Sequence, residues 1–332
     1  MMLDDFDYVL PKDLIAQNPC QPRDSCRLMV MEEDTITHCY FRDIVNFLQR
    51  GDVMVLNNTQ VRPARLHGQK ATGGKIELLL LGRTKGLYRC LIKGHVREGT
   101  EITVENISGT ILEKQGGQCL VHFPVDMDTL EQRGEMPIPP YVKEDITPDL
   151  YQTVYTCNKG SVASPTAGLH FTKRLLTLLQ TKGIHLVFIT LHIGIGTFLP
   201  VRNNDITQHH MEPEHYLVSE EAAESLNTAI AENRRIIAVG TTCVKTLETV
   251  AHHTGVTPGE GYSDLFIYPG YTFRMPLHGI MTNFHLPKST LYMLVCAYAG
   301  INKMRHAYEE AIKEQYRFYS FGDAMLILNH HV

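Results

Sequence analysis

Three histidines of this chain lie in turns that follow predicted apolar strands, and a fourth turn of the same kind carries two threonines and a lysine. Histidine transfers protons readily near neutral pH, and turns of small polar residues leave backbone N–H groups free for anions. The segments are GSVASPTAGLHF (160–171), TLHIGIGTF (190–198), VGTTCVKTLE (239–248) and TNFHLPKST (282–290). Open α/β sheets bind ligands where such turns meet. The pattern favours one shared site, although a single buried histidine is more often a packed hydrogen-bonding residue.

The segment TNFHLPKST is the most informative, because a buried strand is predicted to become a helix there. Pro287 suits a break or a first helical turn, and Ser289 can cap the apolar run LYMLVCAYA that follows. A helix N-terminus carries partial positive charge, so a carboxylate or a developing oxyanion is well placed beside it. The alternative is a structural capped helix in which His285 satisfies a hydrogen bond in the core.

The absence of several well-known sequence motifs argues against some classes of enzyme site. Gly194-x-Gly196 lacks the full dinucleotide-binding fingerprint, and Gly240-Thr241-Thr242 lacks the lysine spacing of a P-loop. No GxSxG motif is present, which argues against a serine hydrolase. The paired histidines and the eight scattered cysteines lack the spacing of metal ligands, so no metal site is predicted.

Composition indicates a soluble globular protein of two domains, or of one large domain with an insertion. The chain has 332 residues, of which 43% are hydrophobic and 20% are charged. No apolar run approaches the roughly 18 residues that a membrane span needs, and the acidic start MMLDDFDYVLPKD is unlike a signal peptide. We therefore expect a cytoplasmic protein with reduced, mostly buried cysteines and no membrane partner.

Charge is distributed unevenly along the chain although the formal net charge is only −5. Residues 60–97 carry a net charge of +8, and residues 98–150 carry −8. A local positive region inside an acidic protein can bind a phosphate backbone. The alternative is a solvated face of a β-domain.

Hydrophobic periodicity predicts an α/β domain interrupted by a β-barrel or sandwich. Strands at 27–31 and 53–57 flank a predicted helix in which Phe41, Ile44, Val45 and Leu48 keep helical spacing. After residue 60, short strands separated by glycine-rich turns come at regular intervals, up to the proline-rich connector MPIPPY (136–141). The α/β pattern then returns, with Thr172 and Ser219 as predicted helix caps.

Long motifs in one order show that the chain resembles the S-adenosylmethionine:tRNA ribosyltransferase-isomerase family of queuosine biosynthesis. The resemblance covers nearly the whole sequence. Besides the four turns, it rests on DLIAQNP, RDSCRL, GDVMVLNNTQVRPARLHG, GGKIELLLL, GEMPIPPY, LYQTVYT, FIYPGY and YRFYSFGDAMLI.

The resemblance implies a fold and a reaction. The fold is an α/β domain (1–60 and 150–332) interrupted by an inserted closed six-stranded β-barrel (61–149). The reaction transfers and isomerises the ribosyl part of S-adenosylmethionine onto 7-aminomethyl-7-deazaguanine at the wobble position of tRNA. It gives epoxyqueuosine and releases adenine and methionine. Beyond S-adenosylmethionine as co-substrate no cofactor is implied, and we expect a monomer.

The resemblance also implies roles for individual residues. His170, His192 and His285 would transfer protons, and Asp323 would orient a base or bind a ribose hydroxyl. The predicted S-adenosylmethionine contacts, with the helix N-terminus holding a carboxylate, are Thr241, Thr242, Lys245, Asp264, Gly194, Gly196 and Asn283. The predicted tRNA phosphate contacts are Arg62, Arg65, Lys75 and Lys93.

Several positions depart from the usual family pattern. Lys245 replaces an arginine and keeps its charge without the planar two-pronged geometry. The other departures are Gln60 and Leu150 for arginine, Cys26 and Cys243 for serine, His278 for aspartate, and Glu212-Pro213 for His-Ser. They leave two alternatives open: a divergent paralogue that binds tRNA with weak or altered catalysis, and an S-adenosylmethionine-dependent tRNA methyltransferase.

Overall fold

The computed structural model describes residues 1–144, 146–194, 196, 201, 203–253 and 255–329. It divides into two compact units. Unit 1 comprises Met1–Gln60, Pro140–Asn158 and the described residues from Ser164 onward, and unit 2 comprises Val61–Pro139 with Lys159–Ala163. The predicted fold class is confirmed, since unit 1 is an α/β unit and unit 2 holds a closed six-stranded β-barrel. Unit 2 begins at the predicted residue 61, but its main segment ends ten residues before the predicted boundary.

The strands of the described residues, in chain order, are β1 (Arg27–Glu32), β2 (Thr35–Tyr40), β3 (Val53–Asn57), β4 (Thr59–Val61), β5 (Arg65–Lys70), β6 (Lys75–Thr84), β7 (Leu87–Lys93), β8 (Glu101–Val104), β9 (Ile107–Gln115), β10 (Gln118–His122), β11 (Asn158–Ser161), β12 (His185–Leu191), β13 (Glu214–Val218), β14 (Ile236–Val239), β15 (Ala251–His252), β16 (Gly255–Val256), β17 (Gly259–Ser263), β18 (Leu277–Asn283) and β19 (Ala324–Leu328). The α-helices there are α1 (Met127–Glu131), α2 (Lys173–Lys182), α3 (Glu220–Ala231), α4 (Thr241–Val250), α5 (Thr290–Ala299) and α6 (Ile301–Lys313).

Within the described residues, nine strands of unit 1 form one mixed sheet in the order β17-β13-β12-β3-β14-β18-β19-β1-β2. Its centre is parallel: β3 pairs with both β12 and β14, and β14 pairs with β18. β3 and β14 are buried along their whole length, as expected for strands covered on both faces. Because β12, β3, β14 and β18 run the same way, their carboxyl ends lie along one edge of the sheet.

Strand β19 lies between β18 and β1. It runs antiparallel to β18 and parallel to β1, and all of its five residues are buried. This strand therefore joins the N-terminal hairpin of β1 and β2 to the rest of the sheet.

Local sequence signals account for the helices that frame this edge. Thr172 caps α2, Ser219 caps α3 and Ser289 caps α5, each by accepting a hydrogen bond from a backbone N–H of the first turn. Gly183 ends α2 in the left-handed conformation, with φ of 89°. These predicted caps are confirmed, whereas Pro287 lies in the turn before α5 rather than in its first turn.

The helix predicted between the first strands is wrong in type. The chain forms β2 and then a 3₁₀ helix, Phe41–Asn46. Phe41 and Ile44 are fully buried, and residues three apart lie on one side of a 3₁₀ helix as well as of an α-helix. The apolar spacing therefore identified the buried face without distinguishing the two helix types.

The barrel of unit 2 closes in the order β10-β7-β6-β5-β8-β9. Its strands alternate between buried apolar and exposed polar residues, so the barrel has its own core around Leu78, Tyr88 and Ile111. The β6–β7 hairpin turns at Lys85 and Gly86, both with positive φ. No helix among the described residues is long and apolar enough to cross a membrane.

Candidate active site

The four turns singled out in the sequence converge on one cleft in unit 1, at the carboxyl ends of the central strands. Each turn contributes at least one wall residue, and the turn before β19 adds two more. The cleft encloses about 500 Å³ including its open mouth. It is lined by Ser164, Pro165, Thr166, Ala167, Ile193, Gly240, Thr241, Thr242, Thr282, Asn283, His285, Leu291, Tyr319 and Ser320.

His285 follows β18 and lies in the wall of the cleft. Its Nε2 is 3.0 Å from the Thr282 hydroxyl, its backbone N–H donates to the Tyr308 hydroxyl, and its carbonyl accepts from the Tyr8 hydroxyl. Burial lowers the pKa of His285 to about 3, because a charged imidazolium is poorly solvated there. His285 is therefore neutral at physiological pH and tightly held.

The turn that follows His285 is fastened to the start of the chain. Lys288 forms ion pairs with Asp4 at 2.8 Å and Asp7 at 2.9 Å, and its φ is 58°. Together with the bond from Tyr8, these contacts hold the N-terminal segment against the turn. The conformation of TNFHLPKST thus depends on residues near the N-terminus.

His170 lies beside the cleft rather than in its wall. Its Nδ1 is 3.1 Å from the Cys26 sulfur, and its Nε2 is 3.1 Å from the Asn283 side-chain nitrogen. Burial, together with the positive charges of nearby Arg317 and Arg23, lowers its pKa to about 3. Asn283 is 3% exposed and stands between His170 and the cleft.

The N-terminus of α4 forms another wall of the cleft. Gly240 precedes it with φ of 87°, a conformation that glycine adopts without strain. A Cβ at this position would lie 3.4 Å from the Ala167 side chain. Thr241 and Thr242 follow as the first helical residues, so their backbone N–H groups belong to the helix end that favours anions.

A second pocket adjoins the cleft and shares Thr241, Thr242 and Leu291 with it. It contains a buried ion pair, in which Lys245 Nζ lies 2.9 Å from Glu214 Oε2. Gly194 N–H donates to the other Glu214 oxygen at 2.9 Å. The apolar part of the wall is formed by Met211, Leu265, Phe266, Ile267 and Leu294.

His192 is not in the wall of the cleft, although the next residue, Ile193, is. Its Nδ1 is 2.8 Å from the Thr59 hydroxyl, and its ring stacks on His215 with centroids 5.5 Å apart. Gly196 is described, and a Cβ there would lie 3.2 Å from Glu212. The other residues of 195–200 lie outside the described residues.

The two predicted aspartates lie outside both pockets. Asp264 is exposed beside Leu265. Asp323 is buried, and its two oxygens accept from the backbone N–H groups of Arg27 at 2.9 Å and Arg317 at 2.7 Å. Asp323 therefore ties the start of β1 to the turn before β19.

The four predicted phosphate contacts lie in unit 2 and differ in exposure. Lys75 and Lys93 are exposed, and Arg65 is half-buried with its Nε 3.5 Å from Glu77. Arg62 is only 7% exposed; it donates to the Leu80 carbonyl at 3.1 Å and faces Glu131. The guanidinium of Arg62 is therefore enclosed in the unit, and its phosphate contact stays a prediction.

Sequence reasoning missed some of the residues that complete the site. Glu214 partners Lys245, but its segment showed no strand-end pattern. Tyr319 and Ser320 come from the motif YRFYSFGDAMLI, where Tyr319 has a φ of 74° that is uncommon for a residue other than glycine. The signal for this tight turn was Gly322, because a Cβ there would lie 2.4 Å from the Arg317 carbonyl oxygen. No metal-binding group of His, Cys, Asp or Glu occurs among the residues that the structure describes.

The fold and the cleft define an α/β protein with a ligand site at the carboxyl ends of parallel strands and an inserted β-barrel. The profile of a family described as queuosine biosynthesis protein matches residues 3–327. A solved structure, the S-adenosylmethionine tRNA ribosyltransferase from Thermotoga maritima, is 38% identical with a TM-score of 0.59, and the match covers 98% of this chain and 100% of that one. This chain belongs to the queuosine biosynthesis protein family.

Proposed function

We propose that this chain transfers and isomerises the ribosyl part of S-adenosylmethionine onto 7-aminomethyl-7-deazaguanine in tRNA. The products are epoxyqueuosine-tRNA, adenine and methionine. The observation that carries the proposal is the convergence of the four turns, with His285 in the wall, on one cleft. Membership of the family and the similarity to the ribosyltransferase from Thermotoga maritima support it.

The proposed reaction explains why a neutral histidine belongs in the cleft. The sulfonium of S-adenosylmethionine acidifies its C5′ protons, so that a base can remove one. The C4′–O4′ bond then breaks, which leaves a C4′–C5′ double bond beside the sulfonium and an aldehyde at C1′ as adenine departs with a proton. The deprotonated aminomethyl nitrogen adds to C4′, the C5′ carbanion so formed bonds to C1′, and the resulting alkoxide displaces methionine from C5′ to close the epoxide. Burial keeps the His285 ring neutral, so one ring nitrogen is free of a proton, and we assign His285 as a proton acceptor.

The adjoining pocket suits the methionyl end of the co-substrate. The Lys245 ammonium would face the carboxylate, and the Glu214 carboxylate would face the α-ammonium, so the two ion pairs would complement each other. The side chains of Leu265, Ile267 and Leu294 would cover the methylene groups. Position 245 is usually an arginine in the family and is a lysine here. The ammonium of this lysine is not a free cation, because it is paired with the Glu214 carboxylate.

For the tRNA we propose phosphate contacts at Lys75 and Lys93, which are exposed in unit 2. Arg65 is half-buried there and its Nη2 donates to the Ile138 carbonyl at 2.6 Å, so it would give a weaker contact. The 7-aminomethyl-7-deazaguanine base would be recognised by residues other than these, since phosphate contacts carry no sequence information.

One incubation tests the proposal against its alternatives. The full chain is mixed with S-adenosylmethionine and tRNA that carries the 7-aminomethyl-7-deazaguanine precursor, and the small products are separated by chromatography. Adenine and methionine in equal amounts support the ribosyltransferase, whereas S-adenosylhomocysteine indicates methyl transfer. Binding of the tRNA without any product indicates a divergent paralogue and overturns the proposal.

A further inference from the structure

The side chain of Asn283 is held from behind, which fixes the orientation of its amide. Its Nδ2 lies 3.1 Å from the Tyr319 carbonyl oxygen and 3.1 Å from His170 Nε2. A carbonyl oxygen only accepts hydrogen bonds, so the nitrogen of the amide must stand at this end. Asn283 Oδ1 is buried and has no hydrogen-bond partner among the described residues. Because Asn283 is one of the lining residues of the cleft, Oδ1 is the polar atom of this side chain that still needs a donor there.

The same contacts determine the protonation of His170. Because Asn283 Nδ2 is a donor, His170 Nε2 must accept, and the ring proton must be on Nδ1 beside the Cys26 sulfur. The lowered pKa of His170 is consistent with this neutral tautomer. A protonated ring would direct a second N–H at the Asn283 amide and break the network. His170 therefore supports Asn283 and does not exchange protons with a ligand.

The surroundings of Asn283 Oδ1 favour an uncharged N–H donor. Ala167, Ile193 and Leu291 make much of the nearby wall apolar. An ammonium group facing one neutral oxygen there would be poorly solvated, whereas the Lys245–Glu214 pair of the adjoining pocket is suited to charged groups. A flat aromatic ring that carries an amine fits the apolar wall better.

We propose that Asn283 Oδ1 accepts a hydrogen bond from the exocyclic amine of adenine, and that His170, supported by Cys26, is the residue that positions it. The inference rests on the proposed function, since it takes S-adenosylmethionine as the ligand. Both Nδ2 hydrogens of Asn283 are already used, so the amide cannot turn to offer a donor without losing two bonds. The site therefore selects a 6-amino purine against a 6-oxo purine.

The test compares the affinity of the full chain for S-adenosylmethionine and for its 6-oxo analogue, S-inosylmethionine, by isothermal titration calorimetry. We expect wild type to prefer the amino form about tenfold or more, because the 6-oxo group would leave Asn283 Oδ1 unpaired. Asn283→Ala should lose that preference. His170→Ala should reduce it, whereas His170→Gln should retain it, because the glutamine oxygen can accept from Asn283 Nδ2.

The exposed His306→Gln is the matched control, and thermal melting of every variant checks that it is folded. Equal affinity of wild type for both ligands, or an unchanged preference in Asn283→Ala, overturns the assignment of Asn283. A fall of about a hundredfold or more in kcat for His170→Gln with its preference intact overturns the positioning role, since it indicates proton transfer by His170. Failure of wild type to bind either ligand overturns the proposed function and the inference with it.

Discussion

At the scale of single residues, Lys245 and Glu214 depend on each other because both are buried. Removing either partner leaves an uncompensated charge in the pocket, which costs about 3–5 kcal/mol in comparable buried pairs. We expect Lys245→Met and Glu214→Gln each to lower the free energy of unfolding by about 3 kcal/mol. Urea unfolding followed by circular dichroism measures the change.

Lys173→Met is the control for that prediction, because Lys173 is an exposed lysine at the start of α2. We expect it to change stability by less than about 0.5 kcal/mol. If Lys245→Met were as stable as this control, the ion pair would not contribute to the folded state. Lys245→Arg should retain the pair, and therefore most of the stability.

Substitution of His285 should lower the catalytic rate much more than the affinity for S-adenosylmethionine. In His285→Gln we expect kcat for adenine release to fall by about 10² to 10⁴, because the glutamine amide cannot take a proton. The dissociation constant of S-adenosylmethionine should change much less. An unchanged kcat would remove His285 from the reaction and leave it a structural role beside Thr282.

At the scale of elements, Gly240 links the end of β14 to the start of α4. Gly240→Ala should cost about 1 to 3 kcal/mol of stability, since the φ of 87° and ψ of 152° at this position fall in a region that is essentially restricted to glycine. It should also weaken binding of S-adenosylmethionine, because the added methyl group contacts Ala167 in the cleft wall. Urea unfolding measures the change in stability, and isothermal titration calorimetry on the same preparation measures the change in affinity for S-adenosylmethionine.

Gly86 provides a matched control for this prediction. It lies in the β6–β7 hairpin with φ of 83°, and no heavy atom of the described part of the chain lies within 4 Å of the place that a Cβ would take there. Gly86→Ala should therefore lose about 1 kcal/mol of stability and keep normal ligand affinity. Equal affinity in both variants would mean that the α4 N-terminus does not contact the ligand.

Most elements were predictable because their signals are local. Thr172, Ser219 and Ser289 indicated where their helices begin, and short strands at regular intervals along residues 75–122 indicated a barrel or sandwich. The four turns were recognised as strand ends. Three of them follow β12, β14 and β18, whose parallel arrangement brings these ends together, whereas the turn at 160–171 follows β11 of a separate two-stranded sheet. Pairings between distant segments were not predictable: the pocket partner of Lys245 lies 31 residues away, and His170 meets Asn283 across 113 residues.

At the scale of the whole molecule, two buried neutral histidines make stability depend on pH. The pKa values of His170 and His285 are about 3 in the folded state, against 6.5 for an ordinary histidine. Below pH 6.5 the unfolded chain therefore binds protons that the folded chain does not, and stability falls as pH decreases toward 3. At about pH 5 each histidine should account for a loss on the order of 2 kcal/mol.

Urea unfolding at about pH 7 and about pH 5 checks this for wild type and for His170→Gln. The variant should lose about 2 kcal/mol less than wild type over that interval, since one of the two histidines is gone. Groups that titrate equally in both proteins cancel in the comparison. The same loss in both proteins would contradict the neutral, buried state of His170.

The charge pattern of unit 2 gives a prediction about salt. Lys75→Ala combined with Lys93→Ala should weaken tRNA binding and reduce the slope of log K against log salt by about 1 to 2. The reason is that a protein with fewer phosphate contacts displaces fewer counterions from the tRNA when it binds. Filter binding at several salt concentrations measures the slope. Lys12→Ala with Lys173→Ala removes the same charge from exposed sites in unit 1. An equal effect of both pairs would indicate general attraction rather than contact at the barrel.

The place of β19 in the sheet has a consequence for protein synthesis. A ribosome makes β1 and β2 among the first 40 residues, yet these strands reach the sheet only through β19, at residues 324–328. Until β19 has left the exit tunnel, the early hairpin lacks its neighbour, and Arg27 lacks the bond that its backbone N–H donates to Asp323. The barrel of unit 2, whose strands end by residue 122, has all of its pairing partners much earlier. Translation should therefore deliver a finished barrel before a finished nine-stranded sheet.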